Sequence, residues 1–150
     1  MKKLFKNYSL LLITLLITSC GGDDSVVIGE ENNDSSSYTL SGTYSDSKTL
    51  SADNIWTLKG RVTFTSGTTL TIPAGTIIKA QGGTGTNAST LIIARGAKID
   101  AQGTASNPIV MTSVADDIEV GQKFGTNLNE NNRGLWGGLL ILGYAPCSFE

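Results

Sequence analysis

Along the middle of the chain, apolar and polar positions follow a repeated spacing. An apolar residue is followed by a second two positions on, a glycine three later and another apolar residue three after that. Val62, Phe64, Gly67 and Leu70 obey it in order, and so do Leu91, Ile93, Gly96 and Ile99. Apolar residues at i and i+2 point to one face of a strand, and glycine admits a backbone conformation that other residues resist. The spacing therefore predicts a short strand, a turn, and a second strand whose inward residues continue the same buried surface.

A longer self-similarity supports this reading. Residues 70–82 align with 91–103 without a gap and match at seven of thirteen positions, which gives a period of 21. A unit this short buries its apolar side only when another stacks on it, with backbones about 4.8 Å apart. The expected fold is all-β, a parallel β-helix, with Leu70 stacked on Leu91, Ile72 on Ile93 and Ile78 on Ile99. Ala80 and Ala101 are expected to mark a tight corner. Ile55 to Leu58 opens the body with an apolar pair, Pro108 to Thr112 reads as another short strand, and Leu135 to Gly143 reads as a buried strand entered through glycines. Within that last strand Leu139 and Ile141 are expected to point inward together. Trp56 and Trp136 are sugar-stacking residues on one reading, but large aromatics are more often packed into a core or cap, and both are read as structural.

The first twenty residues have a different pattern. Lys2, Lys3 and Lys6 precede an apolar run from Tyr8 to Ile17, and Thr18, Ser19 and Cys20 follow. A positive start, a brief apolar segment and small residues before the cut are the marks of a secretory signal, and the run is far shorter than the roughly 20 residues a bilayer span requires. The junction resembles the lipobox of bacterial lipoproteins, which implies a signal peptide over residues 1–19 and a diacylglyceryl group on Cys20. Residues 20–37 follow as a tether with Asp23, Asp24, Glu30, Glu31 and Asp34 and no basic residue, a composition that favours a flexible, self-repelling linker. Residues 38–150 are then the coils of the β-helix.

Composition narrows the function classes. The formal charge is −2, and it becomes more negative once the three signal lysines leave, so a nucleic-acid partner is disfavoured. No histidine occurs, which removes the commonest general base and metal ligand. With Cys20 lipidated, Cys147 has no partner for a disulfide. The stretch from Val114 to Arg133 carries Asp116, Asp117, Glu119, Glu130 and several asparagines, oxygen donors of the kind Ca²⁺ takes, although their spacing matches no defined calcium loop and a solvated acidic loop is the favoured reading. Asp100 and Lys79 share one repeat position, with Lys98 and Arg95 nearby. Charges of both signs on one outer face would suit a polysaccharide lyase or hydrolase, whereas outward residues of half-buried strands account for them more simply.

Five blocks in order, around Ile55–Gly60, Leu70–Lys79, Leu91–Ile99, Asn107–Ser113 and Gly134–Leu139, resemble the N-terminal part of large bacterial surface lipoproteins with a right-handed, pectin-lyase-like β-helix. The resemblance implies an incomplete solenoid, since its members are much longer and these residues include no C-terminal cap. It also implies a lipid-anchored protein at the outer membrane or cell surface of a Gram-negative bacterium, bound to the membrane through Cys20. The expected role is a non-catalytic adhesin, glycan-binding or structural element with polysaccharide as a ligand class and no cofactor. The N-terminal part of a surface polysaccharide lyase or glycoside hydrolase is the alternative.

Overall fold

In the computed structural model, residues 38–143 and 145 are described. The expected signal peptide and tether, with Cys20, and Cys147 lie outside these residues.

Among the described residues nine strands carry the fold: β1 (Thr39–Tyr44), β2 (Lys48–Thr49), β3 (Ile55–Phe64), β4 (Thr69–Ile72), β5 (Ile77–Ala80), β6 (Thr90–Ile93), β7 (Lys98–Ala101), β8 (Val110–Ser113) and β9 (Gly138–Ile141). The described residues contain one 3₁₀ turn, Gly85–Asn87, and no α-helix. Every strand pairing is parallel. One sheet runs β8-β5-β3-β6-β9 with β1 also on β3, and a second runs β2-β4-β7. The strands curl round a shared interior, as expected for a right-handed parallel β-helix.

The long strand β3 shows how the coil turns. Its first half, Ile55–Leu58, pairs with β5, and its second half, Arg61–Phe64, pairs with β6. Gly60 lies between them at φ +66°, and Gly42 occupies the corresponding place in β1 at φ +71°, where the register shifts. The coil therefore has three faces. The first holds the start of β1, the start of β3, β5 and β8; the second holds the end of β1, the end of β3, β6 and β9; the third holds β2, β4 and β7.

Glycine is required at the corners for a reason visible in their hydrogen bonds. Thr68 N–H donates to Thr65 C=O at 3.1 Å, Thr76 to Pro73 at 3.2 Å and Ala97 to Ala94 at 2.9 Å. In each turn the third residue is a glycine, Gly67, Gly75 or Gly96, with φ between +83° and +85°. These are type II turns, which need positive φ at that position. Thr68 and Thr76 also donate their hydroxyls to the same carbonyls at 2.7 Å, so the buried hydroxyl of each is satisfied. Corners stack as the strands do, with Gly67 N–H donating to Gly96 C=O at 3.0 Å.

The register corrects the stacks expected from the 21-residue repeat. Leu70 pairs with Ile99, not Leu91, and Ile72 with Ala101, not Ile93. Leu91 instead lies between Val62 and Leu139, Ile93 between Phe64 and Ile141, and Ile78 between Trp56 and Met111. The repeat had aligned a third-face strand with a second-face strand. The corners after β3, β4 and β6 all use the same strand, glycine turn and strand, so neighbouring faces resemble one another as strongly as stacked rungs do. Ala80 and Ala101 likewise mark no common corner: Ala80 is a buried end of β5, whereas Ala101 is an exposed end of β7.

The core comprises columns of inward residues, among them Leu40 and Leu58 on the first face, Val62, Phe64, Leu91 and Ile93 on the second, and Leu70 and Ile72 on the third. Trp56 is 5% exposed in this core and its indole N–H donates to Ser51 C=O at 2.9 Å, while Trp136 is partly buried against the same cluster. Both tryptophans thus pack structurally. Two strands, β1 and β2, precede the expected opening at Ile55. In the first rung Lys48 occupies an inward position in register with Leu70, and its ammonium lies 5.3 Å from the Trp56 ring and 5.8 Å from the Tyr44 ring. The strand expected over Leu135–Gly143 is shorter and far more exposed than its sequence suggests, with Leu139 40% and Ile141 54% accessible. Both share the inward side with Leu91 and Ile93, as expected, but no further strand covers them among the described residues.

Candidate functional site

The loop from Val114 to Arg133, which leaves the coil between β8 and β9, is tied down by its own polar groups. Asp116 accepts from the Thr112 hydroxyl at 2.7 Å and from Ile118 N–H at 3.0 Å. Asp117 accepts from Thr126 N–H at 2.6 Å and from the Thr126 hydroxyl at 2.7 Å. These bonds favour the charged carboxylate, and the Thr126 hydroxyl contributes most to holding Asp117 below its ordinary pKa of 3.8. Asn127 closes the loop from the other side, accepting from Asp117 N–H at 3.0 Å and donating to Ala115 C=O at 2.7 Å. Ile118 is fully buried beneath this network. Gly125 sits so close to both aspartates that a side-chain carbon there would collide with their carboxylates.

Both aspartates are engaged in holding the loop together. Asp116 and Asp117 direct their carboxylates to hydroxyl and backbone N–H donors within the loop, and Glu119 does not join them in a cluster. Among the described residues no group of three or more Asp, Glu, His or Cys side chains is placed to hold a metal ion.

The two charged positions that share a repeat position are also separated. Lys79 lies on β5, in the outward row Thr57–Lys79–Thr112 of the first face. Asp100 lies on β7, beside Thr71 on the third face. They do not line a common outer face, because the 21-residue offset moves from one face to the next. The Lys79 ammonium donates to Asp116 C=O at 2.8 Å, pinning the root of the long loop to the first face. Asp100 accepts from the Gln102 amide at 2.8 Å, with Lys98 two residues before it on the same strand and Arg95 at the preceding turn.

A cleft of about 230 Å³ opens between β8 and the chain entering β9. Met111, Thr112 and Ser113 line it from β8, and Leu128, Asn132, Leu135 and Trp136 from the chain that leads to β9; no acidic or basic side chain lines it. This cleft had no signal in the sequence, since its walls are separated by the whole loop.

Parallel rungs, glycine corners and a long loop inserted between faces are the features a comparison of families can test. A profile for the pectate-lyase-like β-helix domain matches residues 42–149. The chain belongs to this family. No curated protein and no solved structure matches it. Membership in the pectate-lyase-like family accounts for the coil and for its corner code. The family fold is a scaffold on which different activities are built, so the side chains on the faces decide what it does.

Proposed function

We propose that this pectate-lyase-like domain is a non-catalytic, lipid-anchored element of a bacterial cell envelope that presents its β-helix as an adhesive, glycan-binding or structural surface. The observation that carries the reading is the dispersal of its charged groups. Lys79 and Asp100 stand on different sheets, Lys79 and Asp116 are engaged in fastening the loop, and the cleft beside Trp136 has neither acid nor base in its lining. Glycoside hydrolysis needs two carboxyl groups facing one another across a sugar, and a lyase needs a basic group beside acids. Outward rows rich in threonine, such as Thr43–Thr63 and Thr49–Thr71, suit hydrogen bonding to a hydroxylated polymer instead.

The anchor in this reading is Cys20, preceded by its lipobox-like junction and followed by the acidic tether, with the outer membrane or cell surface as location. Lipoproteins of this class carry more than one acyl chain, enough for durable attachment. A surface polysaccharide lyase or hydrolase is the second reading, favoured by the family to which the coil belongs.

The test is a panel of polysaccharides scored for retention and for cleavage. Retention without cleavage is the expected result. Cleavage that disappears on Asp100→Asn or Lys79→Ala would overturn the non-catalytic reading. Mass spectrometry of the mature N-terminus tests the anchor separately, and an unmodified Cys20 would refute it.

A further inference from the structure

The chain inserted between β8 and β9 builds the cleft of about 230 Å³ against β8. Leu128, Asn132 and Trp136 all come from this insertion, so the loop, and not the coil alone, makes the cavity. Its polar groups are held by bonds to neighbouring loop residues. Asn132 accepts from Asn129 N–H at 2.8 Å through Oδ1, and its side-chain N–H groups have no acceptor among the described residues. The Thr112 hydroxyl donates to Asp116 at 2.7 Å, which leaves its oxygen able to accept. Trp136 packs part of its side chain against the core and lines the cleft with the rest. Unlike Trp56, it gives its indole N–H to no acceptor among the described residues. No buried side-chain nitrogen or oxygen there lacks a partner, so this N–H is open to solvent.

We propose that this cleft binds one uncharged sugar unit of a glycan, with Trp136 against an apolar face of the ring and Asn132 donating to a hydroxyl. The proposal rests on the glycan-binding reading above and gives it a place and a sugar class. Size limits the occupant. Pockets for drug-sized ligands run to about 300–1,000 Å³, so this smaller one holds a single sugar unit and not the several residues of a peptide strand. Chemistry sets the class. Aromatic and aliphatic surface with a few fixed polar groups matches a pyranose, which has apolar C–H faces and a rim of hydroxyls that donate and accept. An acidic sugar fits worse, although pectate, from which the family takes its name, is an acidic polymer. Its carboxylate would lose water and find no cation in the lining. Arg133, next to Asn132 in the chain, donates to Glu130 C=O at 2.9 Å and does not line the cleft, and Lys79 is engaged by Asp116 C=O at 2.8 Å.

NMR of the full chain tests this, because its two tryptophans give separate indole N–H signals, which Trp136→Phe assigns while keeping an aromatic ring against the core. The probes are neutral tetrasaccharides of glucose, mannose, galactose and xylose, with tetragalacturonic acid as the anionic comparison. At least one neutral tetrasaccharide is expected to shift the Trp136 signal and leave that of Trp56 in place, with tetragalacturonic acid bound about tenfold more weakly or not at all. Asn132→Asp keeps an oxygen for Asn129 N–H but removes the donors, so it should weaken binding about tenfold with an unchanged urea midpoint. Saccharide binding that leaves the Trp136 signal in place, or that Asn132→Asp does not weaken, would overturn the cleft while sparing the glycan-binding reading. Tetragalacturonic acid bound as tightly as the neutral sugars would overturn the uncharged class. No response to any saccharide would overturn the cleft and the glycan-binding reading together.

Discussion

The corner glycines allow a quantitative test of the coil. Gly67 and Gly96 occupy equivalent turns in successive rungs and have nearly the same φ, +85° and +84°. Alanine at either position adopts a left-handed conformation that costs about 1–2 kcal/mol. Their surroundings differ. A side-chain carbon at Gly67 meets nothing within 4 Å, whereas one at Gly96 runs into the Ser66 hydroxyl and lies 3.2 Å from Ser66 Cβ. Turning the hydroxyl aside relieves the first contact but not the second, so the Gly67 and Gly96 corners must separate and weaken the 3.0 Å bond between them. Overpacking of this kind adds about 1–3 kcal/mol. Gly67→Ala is therefore expected to cost about 1–2 kcal/mol and Gly96→Ala about 2–5 kcal/mol, measured by urea unfolding of the full chain. Adding Ser66→Gly to Gly96→Ala should recover the steric part and leave the conformational part. Equal losses at the two glycines, or no recovery in the double variant, would refute the stacked-corner geometry.

Three further outcomes follow from the structure. A cysteine pair at Thr71 and Asp100, neighbours across β4 and β7, should oxidise to a disulfide, because adjacent strands place such positions about 4.8 Å apart; a pair at Lys79 and Asp100 should not, and mass spectrometry under mild oxidant distinguishes them. Phe64→Ala should lower stability by about 3–5 kcal/mol in chemical unfolding, since it empties a fully buried site and removes the ring stacked 4.7 Å from Tyr44; a loss below about 1 kcal/mol would contradict that packing. Asp117 has a folded pKa depressed below its ordinary 3.8, so its contribution is present above that value and is lost as pH falls through the lower folded value. Thr126→Val should move the carboxylate's NMR titration midpoint upward, and an unchanged midpoint would remove Thr126 as the cause.

Local chemistry made much of the fold legible from the chain alone. Alternating apolar residues around Val62–Phe64, Leu70–Ile72 and Leu91–Ile93 specify strands with one buried side, and Gly67, Gly75 and Gly96 specify the turns between them, because both signals act within a few residues. The same locality concealed β1 and β2. Leu40, Tyr44 and Leu50 are sparse among Ser, Thr and Asp, and they become a rung only by lying on the strands that follow.

Which residue stacks on which was decided by the tertiary structure. Ile55 pairs with Ile77, Val62 with Leu91 and Leu91 with Leu139, separations of 22, 29 and 48 residues, because loops of different length are inserted between otherwise similar faces. A fixed period of 21 could not follow these insertions. It placed Lys79 and Asp100 together, whereas the coil puts them on separate sheets. The acidic loop has the same explanation. Its composition suits a cation, but the closed fold brings Thr112, Ile118 N–H and Thr126 to the two carboxylates before any ion is considered. The sequence by itself determined the strand and corner code of a parallel β-helix, since that code is written in neighbouring residues. The register of the rungs, the employment of the charges and the uncovered apolar end at β9 depend on contacts between residues far apart in the chain, and only the folded coil decides them.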